Sequence, residues 1–158
     1  MRPVFNTTYD IEAQTVEVNV PKEYQHLVEG VFLRHAETLQ NERRDFRWMI
    51  AMNNVTNKCI APAVKMPKKN RCFQTIFWKQ AKMEQQADDE GHYKIDVPQP
   101  QEGLWMGFYA QVYFKGEGPD PKAGMLKNSY HKTSMGWVTP DTLPFEPCEG
   151  QTCTSNLI

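Results

Sequence analysis

Four cysteines are the side chains in this sequence whose spacing most directly indicates a chemistry. Twelve residues separate Cys59 from Cys72, and four separate Cys148 from Cys153. Neither pair combines the short spacing of a zinc knuckle with nearby histidines, so local disulfides Cys59–Cys72 and Cys148–Cys153 are the favoured interpretation. Zinc binding by these residues and free buried thiols are the alternatives.

Sequence patterns typical of catalysis or phosphate binding are missing. The chain contains no G-x-S-x-G nucleophile elbow, no H-E-x-x-H zinc motif and no glycine-rich phosphate loop. No catalytic residue, metal site or cofactor is therefore predicted. We expect the chain to bind or support another molecule rather than to act as an enzyme by itself.

Two groups of side chains are candidates for a contact surface. Arg44 and Arg47 carry guanidinium groups that could hold a carboxylate or phosphate, although pairing with Asp45 on a solvated strand face is the simpler interpretation. Trp105, Tyr109 and Tyr113 are spaced to share one face of a strand. There they would stack on a sugar or face a neighbouring domain, while packing in the core is the default for aromatic residues.

Two glycosylation sequons indicate the compartment. Asn6 and Asn54 each begin an N-x-[ST] motif. Sequons and disulfides together favour a secreted, extracellular protein. The first six residues lack the apolar stretch of a signal peptide, so we expect the signal peptide upstream, in a longer secreted protein of which this chain is the later part.

The elements that position these residues are predicted to be strands. Val16, Val18 and Val20 alternate with polar residues, which is the pattern of a strand with one buried face. Seven segments are predicted as strands in this way: 16–20, 30–38, 45–52, 74–79, 92–97, 104–114 and 134–139. Only 23–29 and 81–88 are candidates for short helices. The pattern predicts an all-β fold, a β-sandwich of immunoglobulin or fibronectin type III topology.

Two segments are predicted to lie outside the strands. Residues 115–133 form a long loop, which is either a contact surface or a tolerated insertion. The sandwich is expected to span residues 1–147, with residues 148–158 as a tail.

Length and charge exclude several classes of partner. The chain has 158 residues, enough for one domain with a real core, and a net charge of −1. That charge provides no field to attract nucleic acid. Its apolar stretches are far shorter than the ~20 residues that span a bilayer, so membrane insertion is not expected.

Four segments follow one another along the chain: Val31–Thr38, Arg44–Arg47 with the sequence R-D-F-R, Val97–Tyr109, and Val138–Phe145. Together they resemble the PhoPQ-activated pathogenicity-related family, which includes the autocrine proliferation repressor proteins. The similarity covers roughly residues 3 to 148.

The resemblance implies a supporting role. Family members look like secreted or envelope proteins in which an α/β-hydrolase-like domain precedes a β-rich C-terminal domain, and this chain resembles only the latter. Nothing in it matches the family's nucleophile segment. The expected partner is that hydrolase-like domain. An extracellular ligand that represses proliferation through a cell-surface receptor and a carbohydrate-binding module are the alternatives.

Overall fold

Twelve strands and one short helix make up the part of the chain that the structure describes. The computed structural model describes residues 2–39, 41, 44, 46, 49–50, 64–66, 71–74, 76–116 and 129–142. The strands are β1 (Asn6–Asp10), β2 (Thr15–Asn19), β3 (Val28–Glu37), β4 (Met49–Ile50), β5 (Val64–Met66), β6 (Arg71–Gln74), β7 (Lys79–Lys82), β8 (Glu84–Gln86), β9 (Asp89–Asp96), β10 (Met106–Lys115), β11 (Ser129–Thr133) and β12 (Trp137–Thr139). The helix is α1 (Lys22–Gln25), and within these residues no helix is long and apolar enough to cross a membrane.

The strands form antiparallel sheets, which confirms the predicted all-β class. Sheet A has the order β1-β2-β9-β8, and sheet B has the order β11-β10-β3-β7 with β12 also paired to β10. A third, small sheet has the order β4-β6-β5. The two longest strands, β3 and β10, have ten residues each and form the centre of sheet B.

The hydrophobic core lies between sheets A and B. Strands β2, β3 and β10 each turn every second side chain into it, as the two-residue period of a strand requires. The most deeply buried of these residues are Val16, Val18, Val31, Leu33, Phe108, Ala110, Val112 and Phe114. Burying one such large side chain stabilises the fold by about 1.5–3 kcal/mol, so this cluster holds the two sheets together.

One edge of β10 is shared by two short strands. Strand β11 pairs with residues 111–115 and β12 pairs with residues 106–108. Between them, Ala110 N donates to Ser134 Oγ and Ser134 N donates to Ala110 O, each at 2.9 Å. The last strand was predicted over 134–139 but begins only at Trp137, and Ser134 lies in the gap between β11 and β12. Strand β11 occupies the end of the predicted 115–133 loop, and residues 117–128 lie outside the described residues.

The sequence prediction is most clearly wrong for residues 81–88. It was a candidate for a short helix, but it forms the end of β7, all of β8 and a turn. Met83 is the residue at which the chain passes from sheet B to sheet A. Its side chain is 2% exposed, and its N–H donates to the carbonyl of Val31 at 2.9 Å. Burial of Met83 between the sheets therefore overrides local helix propensity.

Two other predicted elements are shorter than expected. The helix predicted over 23–29 ends at Gln25, since β3 begins at Val28. The strand predicted over 74–79 is not continuous: β6 ends at Gln74 and β7 begins at Lys79, with residues 76–78 outside any strand. Most of the strand predicted over 45–52 lies outside the described residues.

Candidate functional site

The surface of sheet B that faces away from the core carries Tyr109 and Tyr113, two of the predicted contact residues. We call this surface the outer face of sheet B. On β10 it consists of Gly107, Tyr109, Gln111 and Tyr113, and on β3 of Phe32, Arg34 and Ala36, which lie opposite in the register. Tyr109 and Tyr113 share this face as their spacing predicts, and Phe108, Ala110, Val112 and Phe114, which alternate with them, are all in the core.

Three polar side chains at the centre of the outer face form a closed hydrogen-bonded ring. Arg34 Nε donates to Gln111 Oε1 at 2.7 Å, and Arg34 Nη2 donates to the hydroxyl of Tyr113 at 3.0 Å. That hydroxyl donates in turn to Gln111 Oε1 at 3.1 Å. Gln111 is only 5% exposed. The guanidinium group is therefore held in a fixed orientation by two neutral acceptors.

Aromatic rings surround this polar ring. Phe32 meets Tyr113 edge-on with ring centroids 5.6 Å apart, and His131 of β11 lies 5.5 Å from Tyr113. Tyr109 is opposite Arg34 in the register, and the ring of Trp78 lies 5.2 Å from that of Tyr109. Trp78 remains 38% exposed. The centre of the outer face thus combines half-exposed aromatic rings with one oriented cation.

One end of the outer face is covered by other parts of the chain. The ring of Phe46 lies over Gly107, where a Cβ atom would come within 2.9 Å of it. Arg44 forms an ion pair with Asp141 at 3.5 Å and donates to the carbonyl of Thr142 at 3.1 Å. Arg44 therefore already has an intramolecular carboxylate partner. The other arginine of the predicted contact surface, Arg47, lies outside the described residues.

Trp105 belongs to this covered end. It was predicted to share a contact surface with Tyr109, but its side chain is buried, 6% exposed. The indole N–H donates to the carbonyl of Thr142 at 2.9 Å, and the Trp105 backbone N–H donates to Thr38 Oγ1 at 3.1 Å. Trp105 thus holds the segment around residue 142 against the sheet instead of facing solvent.

The outer face of sheet A has a different character. Its outward positions are all polar: Asn6, Thr8, Asp10, Thr15, Glu17, Asn19, Glu84, His92, Lys94 and Asp96. Glu17 lies within ion-pair distance of two neighbours, 3.3 Å from His92 and 3.4 Å from Lys94. The predicted glycosylation residue Asn6 is exposed on this face, in the edge strand β1. A glycan there would leave the outer face of sheet B uncovered.

Two clefts are lined by residues that the structure describes. One, of about 430 Å³, is lined by polar His35, Glu37 and Lys79 and by apolar Phe77 and Met106, among others. Burial, and to a lesser degree the charge of Lys79, lowers the pKa of His35 below its ordinary value.

The second cleft has about 670 Å³ and is bordered by Tyr93. Burial, with a smaller contribution from Glu90, raises the pKa of that tyrosine. Among the described residues that line these clefts, no hydrogen bond joins a nucleophile to a base, and the described residues contain no group of three or more His, Cys, Asp or Glu able to hold a metal.

Several predicted sites lie beyond what the structure describes. Asn54, Cys59, Cys148 and Cys153 are outside the described residues. Cys72 is in β6, paired with Lys65, but only its backbone is described. The two disulfides and the second sequon therefore stay predictions.

Arg34 and Trp78 are residues of this surface that sequence reasoning missed, whereas Gln111 was expected on the same strand face as Tyr109 and Tyr113. Arg34 lies two residues after Phe32 in the predicted strand 30–38, so its place on the same face as an aromatic residue was readable from the two-residue period. The pairing of Arg34 with Gln111, 77 positions away, was not readable from one sequence, because register is set by long-range packing.

Comparison with known proteins returned nothing for this chain: no family model, no curated protein and no solved structure matches it. The family resemblance of the sequence therefore remains a prediction.

Proposed function

We propose that this chain is a non-catalytic binding domain of an extracellular protein, and that it docks onto another domain through the outer face of sheet B. The difference between the two outer faces supports this proposal. The outward positions of sheet A are polar throughout, as expected of a solvated surface. Sheet B instead presents tryptophan, tyrosine and arginine, the residue types that contribute most to protein–protein binding energy.

The partner we propose is an α/β-hydrolase-like domain. Support comes from the similarity of four segments to the β-rich C-terminal domain of the PhoPQ-activated pathogenicity-related family. The site geometry is compatible with a supporting role, since the residues of the outer face include an oriented cation but no nucleophile paired with a base. The position of Asn6 on the opposite face supports it further, because glycosylation there would not obstruct docking.

We further propose that the sandwich is of the immunoglobulin type. When eight strands are lettered in chain order, β1, β2, β3, β7, β8, β9, β10 and β11 become A, B, C, C′, D, E, F and G. The sheet orders are then A-B-E-D and G-F-C-C′, the arrangement expected for that fold. In this interpretation β4, β5 and β6 belong to an insertion between strands C and C′.

Site-specific photo-crosslinking tests the docking face. A photoreactive phenylalanine replaces Tyr109 on the outer face of sheet B, and in a matched control it replaces exposed Thr8 on the outer face of sheet A. Both variants are expressed in the cells that make the protein, and the crosslinked products are identified by mass spectrometry. We expect a hydrolase-like domain to be captured from position 109 and not from position 8.

Other crosslinking results would contradict this proposal. Equal capture from both positions, or none from either, would remove the outer face of sheet B as the docking surface. Capture of a cell-surface receptor from position 109 would replace the hydrolase-like partner with the receptor alternative. Separately, turnover of ester, amide or glycoside substrates that survives repurification of the chain would refute the non-catalytic role.

A further inference from the structure

We propose that Arg34 is the anchor of the docking face and binds a carboxylate, the side chain of an aspartate or glutamate on the partner protein. This inference rests on the docking function proposed above and specifies the chemistry of the partner. It depends on three features: the free hydrogen-bond donors of Arg34, the charge of the outer face, and the rigidity of the polar ring.

The first feature is the set of donors that Arg34 leaves unused. A guanidinium group has five N–H donors. The edge formed by Nε and Nη2 is occupied, since Gln111 Oε1 and the Tyr113 hydroxyl accept one hydrogen bond each from it. The other edge, formed by Nη1 and Nη2, has no hydrogen-bond partner among the described residues. Two parallel N–H groups on one edge match the two oxygens of a carboxylate.

The second feature is the charge of the outer face. Arg34 makes no ion pair with a described residue, in contrast to Arg44 with Asp141. Lys82 and Lys115 occupy further outward positions of sheet B, opposite Phe32 and Ser129. No aspartate or glutamate occupies a paired outward position of the described strands of sheet B; Glu29 lies unpaired at an irregularity of β3. An acidic partner would be electrostatically complementary.

The third feature is preorganisation. Because Gln111 is buried and hydrogen-bonded to both other members of the ring, the guanidinium group does not have to give up rotamer freedom when a ligand arrives. Phe32 and Tyr109 lie beside it and would exclude water from the ion pair, which strengthens a charge-assisted hydrogen bond. Neutral Gln111 and Tyr113 position the cation without neutralising it.

An NMR titration of the full chain with a capped amino acid tests this site without the partner protein. The probe is N-acetyl-L-glutamate N-methylamide, added at constant ionic strength to the ¹⁵N-labelled chain. The matched control probe is the corresponding glutamine compound, which has the same shape without the charge. We expect the glutamate probe to shift the Arg34 Nε–H signal saturably and the glutamine probe to leave it unchanged.

Two variants separate the geometry from the charge. Arg34→Lys keeps the positive charge but loses the paired donors, so affinity for the glutamate probe should fall about tenfold, the equivalent of one charge-assisted hydrogen bond. Tyr113→Phe keeps the ring but removes the acceptor that orients Nη2, so affinity should fall less, about threefold, and the fold is retained. The backbone amide signals of Phe32 and Gln111 report binding in both variants.

Several outcomes would overturn the inference. They are the absence of a saturable shift at the solubility limit of the glutamate probe, equal binding of the glutamine probe, or unchanged affinity in Arg34→Lys. Tighter binding of methyl glucuronide than of the glutamate probe would assign the site to an acidic sugar instead. Because the titration needs no partner, these failures are distinguishable from failure of the docking function, which crosslinking from position 109 measures.

Discussion

Replacing Gly91 by alanine tests how closely β9 passes the chain at Val20. A Cβ atom at position 91 would overlap the carbonyl oxygen of Val20 and the side-chain amide of Gln25, both well inside the 3.0 Å that real Cβ atoms essentially never cross. Two hydrogen bonds join these segments: Val20 N donates to Gly91 O at 2.9 Å, and Gln25 Nε2 donates to Val20 O at 3.1 Å. The Val20 carbonyl belongs to the backbone and cannot swing away as a side chain would.

The expected cost combines overpacking with lost hydrogen bonds. Forcing extra volume into a packed site costs about 1–3 kcal/mol, and each lost hydrogen bond about 0.5–1.5 kcal/mol. With both hydrogen bonds lost, Gly91→Ala should therefore lower the free energy of unfolding by roughly 2–6 kcal/mol. For a domain of this size, each 1 kcal/mol lowers the melting temperature by about 2–4 °C.

Urea denaturation followed by tryptophan fluorescence measures this difference, and thermal unfolding by circular dichroism provides an independent value. Gly136→Ala is the matched control, because the nearest atom to a Cβ there is Phe108 O at an ordinary 3.8 Å. The control should stay within about 0.5 kcal/mol of the wild type. If Gly91→Ala is as stable as the control, the close approach of β9 to Val20 is incorrect.

Three further predictions concern stability. Trp105→Phe removes the indole N–H that donates to the carbonyl of Thr142. The loss of this hydrogen bond should lower the free energy of unfolding, measured in urea, by about 0.5–1.5 kcal/mol. Burial lowers the pKa of His35, so the unfolded chain takes up a proton more readily and the fold loses stability as pH falls below 6.5. In His35→Gln, the free energy of unfolding should fall less over this pH range, as measured by denaturation curves. A reductant should lower the melting temperature, because the predicted disulfide Cys59–Cys72 closes a loop of about 14 residues. Closing such a loop stabilises the fold by roughly 3 kcal/mol. Cys59→Ser should reproduce most of the loss, and Cys148→Ser should not.

Each of these predictions has a result that contradicts it. Trp105→Phe with wild-type stability would show that the indole hydrogen bond contributes nothing. If the free energy of unfolding falls equally with pH in His35→Gln and in the wild type, His35 does not cause the acid sensitivity. Peptide mapping that finds a different pairing, or four free thiols in protein made in a secretory host, would overturn the disulfide assignment.

The central strands were predictable because each has a buried face. Val16 and Val18 of β2 alternate with polar residues, so the two-residue period alone indicates which side of that strand faces the core. In β10 the same period divides the side chains into two groups, but both groups contain aromatic residues, so the period does not indicate which group is buried. Tyr109 and Tyr113 could be placed on one surface for the same reason. The period does not indicate which residues of the neighbouring strands lie beside them on that surface.

The edge strands and the polar ring were not predictable for a different reason. Strands β1 and β11, with the sequences NTTYD and SYHKT, have few apolar residues and are held by pairing with β2 and β10. Their strand conformation is imposed by a neighbour, which local sequence does not encode. The contact of Arg34 with Gln111 and Tyr113 likewise depends on the register between β3 and β10.

The lengths of the strands at the sheet edges have a consequence for aggregation. Edge strands β1, β7, β8 and β11 have five residues or fewer, whereas the paired central strands β3 and β10 have ten. A free edge is a template for unwanted pairing between molecules, and short edges offer few adjacent hydrogen-bonding groups to an incoming chain. On the side of β10 that pairs with β11 and β12, the gap at Ser134 divides the edge of the sheet into two short strands. The ten-residue strands β3 and β10 thus lie in the interior of sheet B, and the strands at its edges are the short ones.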